Sequence, residues 1–141
     1  MKVDEQEIKI FQKKIRKFYR LHGRELPFRF IDDPYAVTVS ELMLQQTQVE
    51  RVIPKFQTWM KKFPTWEKLS NASNQSILSA WSGLGYNRRA LYLKKIAVIM
   101  TNQYNGIMPT DVKELQKLPG IGVYTSNAIL IFAYQKRLAA V

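Results

Sequence analysis

The stretch that decides the fold is Leu118-Pro119-Gly120-Ile121-Gly122, which lies between the helix-forming sequences TDVKELQK (110–117) and VYTSNAILIFAY (123–134). A Pro-Gly-apolar-Gly turn between two helices predicts a helix-hairpin-helix over about residues 111–134. Glycine lets a backbone approach an anion closely, because it has no Cβ and accepts positive φ. The second helix should start at about Val123, so that its amides and positive dipole end face the same anion. We predict that Gly120, Gly122 and Thr125 contact a phosphate, with an ordinary turn as the alternative.

The charge of the chain favours a polyanionic partner. Its 141 residues include 22 Lys and Arg against 11 Asp and Glu, a formal net charge of +11. Nucleic acid is the commonest polyanion that such a charge would serve. The alternatives are a merely soluble basic protein and a binder of anionic membranes, the latter weaker because no apolar run approaches the roughly 18 residues of a membrane span. We expect double-stranded DNA as partner, no membrane, and a monomer.

Cysteine and histidine usage excludes several kinds of site. With no cysteine, the chain forms neither a disulfide framework nor a thiolate metal site. The single histidine, His22, does not build a metal site by itself, so we predict no bound metal. The first ten residues, MKVDEQEIKI, lack the apolar core of a secretory signal. We therefore expect a cytoplasmic protein, associated with the nucleoid of a prokaryote.

Helical periodicity predicts an all-α fold, because no segment shows the sustained alternation of a half-buried strand. Residues 1–25 should form a basic amphipathic helix that is capped by Asp4. Residues 26–141 should form one helical barrel domain without repeats or linkers. The apolar face of the first helix comprises Ile8, Phe11, Ile15 and Phe18. The tryptophans that fall at helical spacing with other apolar residues, and that we assign to the core, are Trp59, Trp66 and Trp81.

The helix that follows Asp33-Pro34 carries the first candidate catalytic group. An aspartate cap followed by proline is a common helix start. The sequence beyond it, YAVTVSELMLQQ (35–46), is apolar on nearly every side, with Ser40 and Glu41 as the polar interruption. A carboxylate on such a helix is partly desolvated, which raises its pKa toward the range useful for general acid–base catalysis. A glutamate on a solvated strip, or one that caps a neighbouring helix, is the alternative.

Two polar segments contain candidates for contact with a duplex. LQQTQ (44–48) offers amide donors and acceptors that suit base edges or a gap in the base stack, with polar helix-end surface as the alternative. Tyr86 follows the turn Gly83-Leu84-Gly85 and precedes Arg88 and Arg89. The pattern predicts an aromatic wedge at a base step with the arginines on phosphates, although packing of the ring into the core is nearly as consistent with the spacing.

Tyr124 opens the helix after the hairpin. Its hydroxyl suits a hydrogen bond to a reacting group, and a purely structural role at the end of the barrel is the alternative. A lysine at this position would be able to form a Schiff base with an opened sugar, and tyrosine is not.

Three stretches together resemble, in order and spacing, the helix-hairpin-helix (HhH-GPD) DNA glycosylase superfamily. They are DPYAVTVSELMLQQTQVERVIPKFQTWMKKFP (33–64), LSAWSGLGYNRRALYLKKIA (78–97) and LQKLPGIGVYTSNAIL (115–130). The likeness is greatest to the MutY-type adenine DNA glycosylases, because SELMLQQTQ and GLGY separate that branch from endonuclease III-like relatives. It covers about residues 26–141 and implies a helical barrel.

The resemblance implies a role for each candidate residue. Glu41 matches a catalytic glutamate that protonates a flipped adenine, and Tyr124 matches a tyrosine found near the sugar in some members. Gln46 and Tyr86 match residues that intercalate around the mismatch. The segment LPFR resembles the usual LPWR of the family, with phenylalanine in place of tryptophan. This likeness places three residues in the adenine pocket: Leu26, Phe28 and Arg29.

The function that the resemblance implies is base-excision repair by a monofunctional glycosylase. Its substrate would be adenine mispaired with guanine or 8-oxoguanine in double-stranded DNA. Tyrosine rather than lysine at position 124 argues against the strand-cleaving branch. A thymine or uracil mismatch glycosylase of the same fold and a non-catalytic DNA-binding module are the two alternatives.

The resemblance also implies groups that the 141 residues do not contain. The second catalytic carboxylate, an aspartate, is expected within a residue or two past Val141. The cysteines that hold the [4Fe-4S] cluster of the family are absent, as is the C-terminal module that senses 8-oxoguanine. Because glycosidic chemistry uses two carboxylates, we expect a truncated chain that binds no cofactor by itself and is nearly inactive alone.

Overall fold

The computed structural model describes residues 4–139, which form eight α-helices and no β-strand. The expected position of the second carboxylate, past Val141, lies outside this range, as do residues 1–3. The all-α class predicted from the sequence is confirmed. The helices are α1 (Glu5–His22), α2 (Pro34–Leu44), α3 (Val49–Lys62), α4 (Trp66–Asn71), α5 (Asn74–Trp81), α6 (Arg88–Gln103), α7 (Val112–Gln116) and α8 (Val123–Tyr134).

Helix α2 is the centre of the core. Every residue from Tyr35 to Met43 is buried, whereas a surface helix normally buries a single stripe. The helix packs between α8 and α3 and also contacts α6. It starts as predicted, because the Asp33 carboxylate accepts a hydrogen bond from the Tyr35 amide at 3.0 Å and Pro34 occupies the first turn.

The tryptophans lie in the core, as their spacing predicts. Trp59 and Trp81 are fully buried and pack edge to face with ring centroids 5.6 Å apart. Trp66 packs in the same way on Tyr35, at 4.6 Å. The buried indole N–H groups have partners, since Trp59 Nε1 donates to the Tyr35 hydroxyl and Trp81 Nε1 to the Gly85 carbonyl.

Helix α1 forms as predicted but does not enter the core. Asp4 caps it by accepting a hydrogen bond from the Gln6 amide at 3.2 Å. None of its residues is buried. Although α1 is the longest helix of residues 4–139, no helix in that range combines the length and apolarity needed to cross a membrane. The predicted apolar face is between 40% and 66% exposed at Ile8, Phe11, Ile15 and Phe18.

The predicted helix-hairpin-helix consists of α7, the LPGIG turn and α8, which starts at Val123 as predicted. Leu118 and Ile121 are only 4% and 5% exposed, so apolar side chains anchor the turn to the core. Gly120 has a φ of +76°, and a Cβ at this position would lie 2.6 Å from Cδ2 of Tyr92. Glycine is therefore required here both by backbone conformation and by the close approach of α6.

We expect Gly120→Ala to lower the free energy of unfolding by more than Gly106→Ala. Both glycines have a φ of +76°, and left-handed backbone costs an alanine about 1–2 kcal/mol. Only the Cβ at Gly120 meets Tyr92, because nothing lies within 4 Å of a Cβ at Gly106. Urea unfolding of the two variants measures the difference. Equal losses would mean that the Tyr92 ring moves aside without cost.

Candidate functional site

The N-terminus of α8 is open to solvent at the hairpin. Gly122 is its N-cap residue, and no side chain caps the helix. Val123 and Tyr124 are 64% and 52% exposed, and a Cβ on Gly122 would meet no atom within 4 Å. First-turn amides and the positive end of the helix dipole are therefore accessible to an anion. This geometry suits the phosphate contact predicted for Gly120 and Gly122.

The Thr125 side chain does not share this exposure, so a phosphate contact of Thr125 stays a prediction that involves its backbone amide rather than its hydroxyl. Its side chain is 3% exposed, and its hydroxyl accepts a hydrogen bond from Gln45 Nε2 at 3.2 Å. This bond joins the C-terminal end of α2 to the first turn of α8. The start of α8, which includes Tyr124, therefore lies next to the C-terminal end of α2. Gln45, at that end, is one helical turn beyond Glu41 in the sequence.

Glu41 is a carboxylate held inside the protein. It is 7% exposed, and within residues 4–139 it forms no ion pair. Burial raises the pKa of Glu41 above its ordinary value, and the positive charge of Arg29 opposes part of the rise. Glu41 thus keeps its proton to a higher pH than an exposed glutamate does, which is the property required of a general acid.

Arg29 and Leu26 line a cavity of about 410 Å³ between the LPFR segment and α8. The Arg29 guanidinium carbon lies 4.8 Å from the centroid of the Phe132 ring, which forms another wall. Because the charge of Arg29 also acts on Glu41, the cavity and the buried carboxylate share one electrostatic environment. The predicted grouping of Leu26 and Arg29 in one pocket agrees with this arrangement.

Three residues of this cavity were missed by sequence reasoning: Tyr19, Arg24 and Phe132. Tyr19 and Phe132 also line an adjoining cavity of about 250 Å³. Tyr19 belongs to α1 and Phe132 to the last turn of α8. No sequence signal pointed to a shared cavity, because only folding brings these two helices together.

Phe28 lies in the core instead of the predicted base pocket. It is 5% exposed and packs edge to face on Phe56 of α3, with ring centroids 5.6 Å apart. It lines neither of the two cavities that contain Arg29. The prediction for Phe28 is therefore wrong: the ring supports the segment that carries Leu26 and Arg29.

Gln46 and Tyr86 project into solvent from strained backbone. Their φ values are +55° and +47°, a region that non-glycine residues rarely adopt and that clusters at functional sites. Tyr86 is 66% exposed, so the alternative that its ring packs into the core does not hold. Both residues line one open pocket of about 620 Å³ together with Asn87, Arg88 and Tyr92. The predicted wedge residues are thus brought together on one surface.

The two neighbouring arginines line the same pocket but differ in burial. Arg88 is exposed at the rim of the 620 Å³ pocket, where a phosphate contact is geometrically open to it. Arg89 is 6% exposed, and its guanidinium donates to backbone carbonyls and to the Thr47 hydroxyl. The prediction that Arg89 contacts a phosphate is therefore wrong, because both terminal nitrogens of its buried guanidinium already donate to groups of the protein.

Comparison with known proteins places this geometry in a family. The sequence profile of the HhH-GPD superfamily base excision DNA repair proteins matches residues 39–136, a range that includes Glu41, both wedge residues and the hairpin. The chain belongs to this HhH-GPD superfamily. The superfamily predicted from the sequence is confirmed, and its three quoted stretches lie almost wholly within the matched range.

Curated relatives of this HhH-GPD chain carry the name adenine DNA glycosylase. The protein of Buchnera aphidicola subsp. Baizongia pistaciae is 44% identical over 126 residues, which are 89% of this chain and 36% of the relative. The Mycobacterium tuberculosis protein is 38% identical over 88% of this chain and 41% of its own length. The mouse protein is 37% identical over 94% of this chain and 28% of its own length. The chain thus spans well under half of these relatives.

Solved structures show the same fold. A thermostable thymine-DNA glycosylase superposes with a TM-score of 0.87 at 30% identity, covering 94% of this chain and 62% of that one. An endonuclease III–DNA covalent intermediate superposes with a TM-score of 0.79 at 22% identity, covering 95% of this chain and 62% of that one. At that identity the second likeness shows the fold alone.

The iron–sulfur cluster implied by the resemblance does not fit the residues of this chain. A [4Fe-4S] cluster is held by cysteine thiolates, and the 141 residues contain no cysteine. Within residues 4–139 no group of three or more His, Asp or Glu side chains is placed to hold a metal ion either.

We expect Glu41→Gln to raise the melting temperature at neutral pH. Burial makes the folded-state pKa of Glu41 higher than its unfolded-state pKa, so the ionised carboxylate destabilises the fold. As the pH falls through the folded-state pKa towards the unfolded-state one, the carboxyl group is protonated and the penalty disappears. The gain should therefore vanish below about pH 4.

Thermal unfolding of the variant and the unchanged chain across this pH range measures the effect. Glu67→Gln, the same change at an exposed position of α4, is the control and should give no such gain. An advantage of Glu41→Gln that grows as the pH falls would contradict the assignment.

Proposed function

We propose that this chain contains the base-excising centre of a monofunctional DNA glycosylase that removes adenine mispaired with guanine or 8-oxoguanine. The observation that carries the proposal is Glu41, a buried proton donor on a segment shared with relatives named adenine DNA glycosylase. The cavity lined by Arg29, whose charge acts on this carboxylate, is the place where the flipped base would be held. The partner is double-stranded DNA that contains a mismatch, and the setting is the prokaryotic nucleoid.

The proposed reaction starts with protonation of the base by Glu41. The N-glycosidic bond between adenine N9 and the sugar C1′ breaks, its electron pair leaves with the base, and the base takes the proton of the Glu41 carboxyl group. Water then adds to the cationic sugar at C1′ and loses a proton to solvent. A raised pKa favours this role because the carboxyl group then keeps its proton to a higher pH than an exposed glutamate does.

The proposed role of Gln46 and Tyr86 is to occupy the duplex around the displaced nucleotide. Extruding a base costs a few kcal/mol of stacking and pairing, which side chains inserted into the vacated space offset in part. Both residues are exposed on one pocket rim, and Arg88 adds a cation there. The uncapped N-terminus of α8 provides the separate grip on a phosphate that keeps the duplex in place.

A second carboxylate is the missing part of this proposal. Among residues 4–139 Glu41 is the only buried Asp or Glu, and glycosidic chemistry generally uses a pair. We therefore propose that the 141-residue chain binds mismatched DNA and releases adenine only slowly by itself.

The alternative of thymine or uracil excision is supported by one specific observation. The thymine-DNA glycosylase is the solved structure with a TM-score of 0.87 to this chain. Duplexes containing A·G, A·8-oxoG, T·G and U·G pairs separate the two functions. Release of thymine or uracil in preference to adenine would overturn the adenine assignment, whereas salt-sensitive binding without release of any base would support a non-catalytic module.

We expect Glu41→Gln to reduce single-turnover adenine release by about 10²–10⁴-fold, because the amide has no proton to give to the leaving base. Mismatch binding should change little. The measurement uses the chain fused to the region of the Buchnera relative that follows the matched residues. Glu67→Gln in the same fusion is the control and should retain full release. Turnover by the Glu41→Gln fusion at the control rate would remove Glu41 from the mechanism.

We expect no covalent complex when borohydride is added to the chain or the fusion with a substrate duplex. Tyr124 has no amine, so it is unable to form the Schiff base with an opened sugar that borohydride reduces. Gel electrophoresis detects such a complex, and endonuclease III, whose covalent DNA intermediate has been trapped, is the positive control. A borohydride-dependent adduct of this chain would show that it belongs to the strand-cleaving branch.

A further inference from the structure

Arg89 is a buried cation without an anionic partner. Its side chain lies near the start of α6 and is 6% exposed. Within residues 4–139 the ion pairs are Arg24–Glu50 and Lys117–Glu114, so no carboxylate neutralises it. Its Nε atom is buried without a hydrogen-bond partner, and burial lowers the pKa of the guanidinium. A group this costly to bury is retained only where its remaining hydrogen bonds fix something.

One nitrogen of Arg89 holds the end of α2. Nη1 donates to the carbonyl oxygens of Leu42 at 2.7 Å and Met43 at 2.9 Å, and also to that of Gln45. The last carbonyls of a helix have no partners within the helix and carry the negative end of its dipole. The guanidinium thus supplies hydrogen-bond donors to these carbonyl groups, and its positive charge balances the negative end of the helix dipole of α2.

The other nitrogen holds the GLGY turn. Nη2 donates to the carbonyl oxygens of Leu84 at 3.2 Å and Gly85 at 3.1 Å, and to the Thr47 hydroxyl at 2.9 Å. Two loops far apart in sequence are therefore joined by one planar group. The guanidinium carbon also lies 5.1 Å and 5.8 Å from the ring centroids of Trp81 and Tyr86.

Each loop held in this way carries one of the proposed wedge residues, and each of these two residues has a positive φ. Gln46 lies between Gln45 and Thr47, both of which Arg89 contacts, and Tyr86 follows Gly85 directly. Positive φ costs a side chain-bearing residue free energy that the surrounding structure must supply. The contacts of Arg89 on either side of Gln46 and immediately before Tyr86 are the surrounding structure that does so.

We propose that Arg89 is the positioning residue that presents Gln46 and Tyr86 to DNA as one rigid, two-pronged wedge, an inference that rests on the proposed function. Arg89 does not touch the duplex. It fixes the distance and direction between the two side chains, so that both enter the same step of the base stack. Lysine is unable to replace it, because a single ammonium with three donors does not span the six acceptors that the planar fork reaches.

The test measures unstacking of the duplex separately from binding. A duplex with 2-aminopurine next to an A·G pair is titrated with the chain, and the fluorescence rise on unstacking is read at saturation. Filter binding of the same duplex gives the affinity. Arg89→Lys should bind with at most a few-fold loss, because the hairpin still grips the phosphate, yet its fluorescence rise should fall by more than half. Tyr86→Ala, which removes one prong, should lose the rise as well.

Two controls separate positioning from stability. Arg16→Lys is the same change at an exposed position of α1 and should leave the rise per bound complex unchanged. Leu93→Ala removes a fully buried side chain of α6 and should lower the melting temperature without lowering the rise at saturation. If Arg89→Lys does not fold, Thr47→Val keeps the arginine and removes one acceptor. It should then give a smaller rise than the unchanged chain.

The outcomes distinguish this inference from the proposed function. No fluorescence rise with the unchanged chain would overturn both. In another outcome, the fluorescence rise is lost in Tyr86→Ala but is as large in the folded Arg89→Lys or Thr47→Val variant as in the unchanged chain. This outcome would overturn the role of Arg89 and leave the proposed function intact. A reduced rise in Leu93→Ala equal to that in Arg89→Lys would also overturn it, since general destabilisation would then explain the loss.

Discussion

The burial of α2 on all sides is the constraint on which the rest of the structure depends. A helix enclosed by α3, α6 and α8 has no solvated face, so any ionisable group on it is desolvated. Glu41 is that group, and its burial raises its pKa above the ordinary value of a glutamate. The stability that this carboxylate costs and the rise in its pKa are two consequences of one placement.

Because α2 is buried, the carbonyl groups at its C-terminal end need hydrogen-bond donors from the protein, and a cation provides them. A buried helix end leaves carbonyl groups without water, and each unpaired one costs free energy. Arg89 supplies the donors, and the same guanidinium extends to the GLGY turn. The end of α2, the GLGY turn and the start of α6 are therefore joined by one side chain. In the function proposed above, the geometry of the wedge at the DNA surface depends on this interaction inside the core.

Local signals explain what was predictable from the sequence. The Asp33-Pro34 start, the hairpin boundary at Val123 and the burial of Glu41 each depend on residues within one or two turns, and each agrees with the structure. Arg88 and Arg89 were indistinguishable because they are identical neighbours. Which one turns inward depends on the carbonyl of Leu42, 47 positions earlier.

Two other features of the site were not predictable, because they also depend on contacts between residues that are distant in the sequence. The link between Thr125 and Gln45 spans 80 positions, and no motif around either residue indicates it. Phe28 was assigned from the LPFR likeness, but its orientation depends on Phe56 in a different helix. A motif thus predicted which residues gather at the site, and packing between distant elements decided which of them face it.

Because no residue of α1 is buried, this helix should lose its structure separately from the rest of the protein on heating. A helix of 18 residues without a buried side chain depends on its own cap, its first-turn acids Glu5 and Glu7, and its last-turn bases Arg20 and His22. Such local interactions weaken gradually, whereas a packed core unfolds cooperatively. In hydrogen exchange, α1 should therefore open on its own at a low free energy, while amides of α2 exchange only through global unfolding. The protein then has two units that unfold separately: the basic helix α1, which opens at a low free energy, and the helical barrel, which unfolds cooperatively.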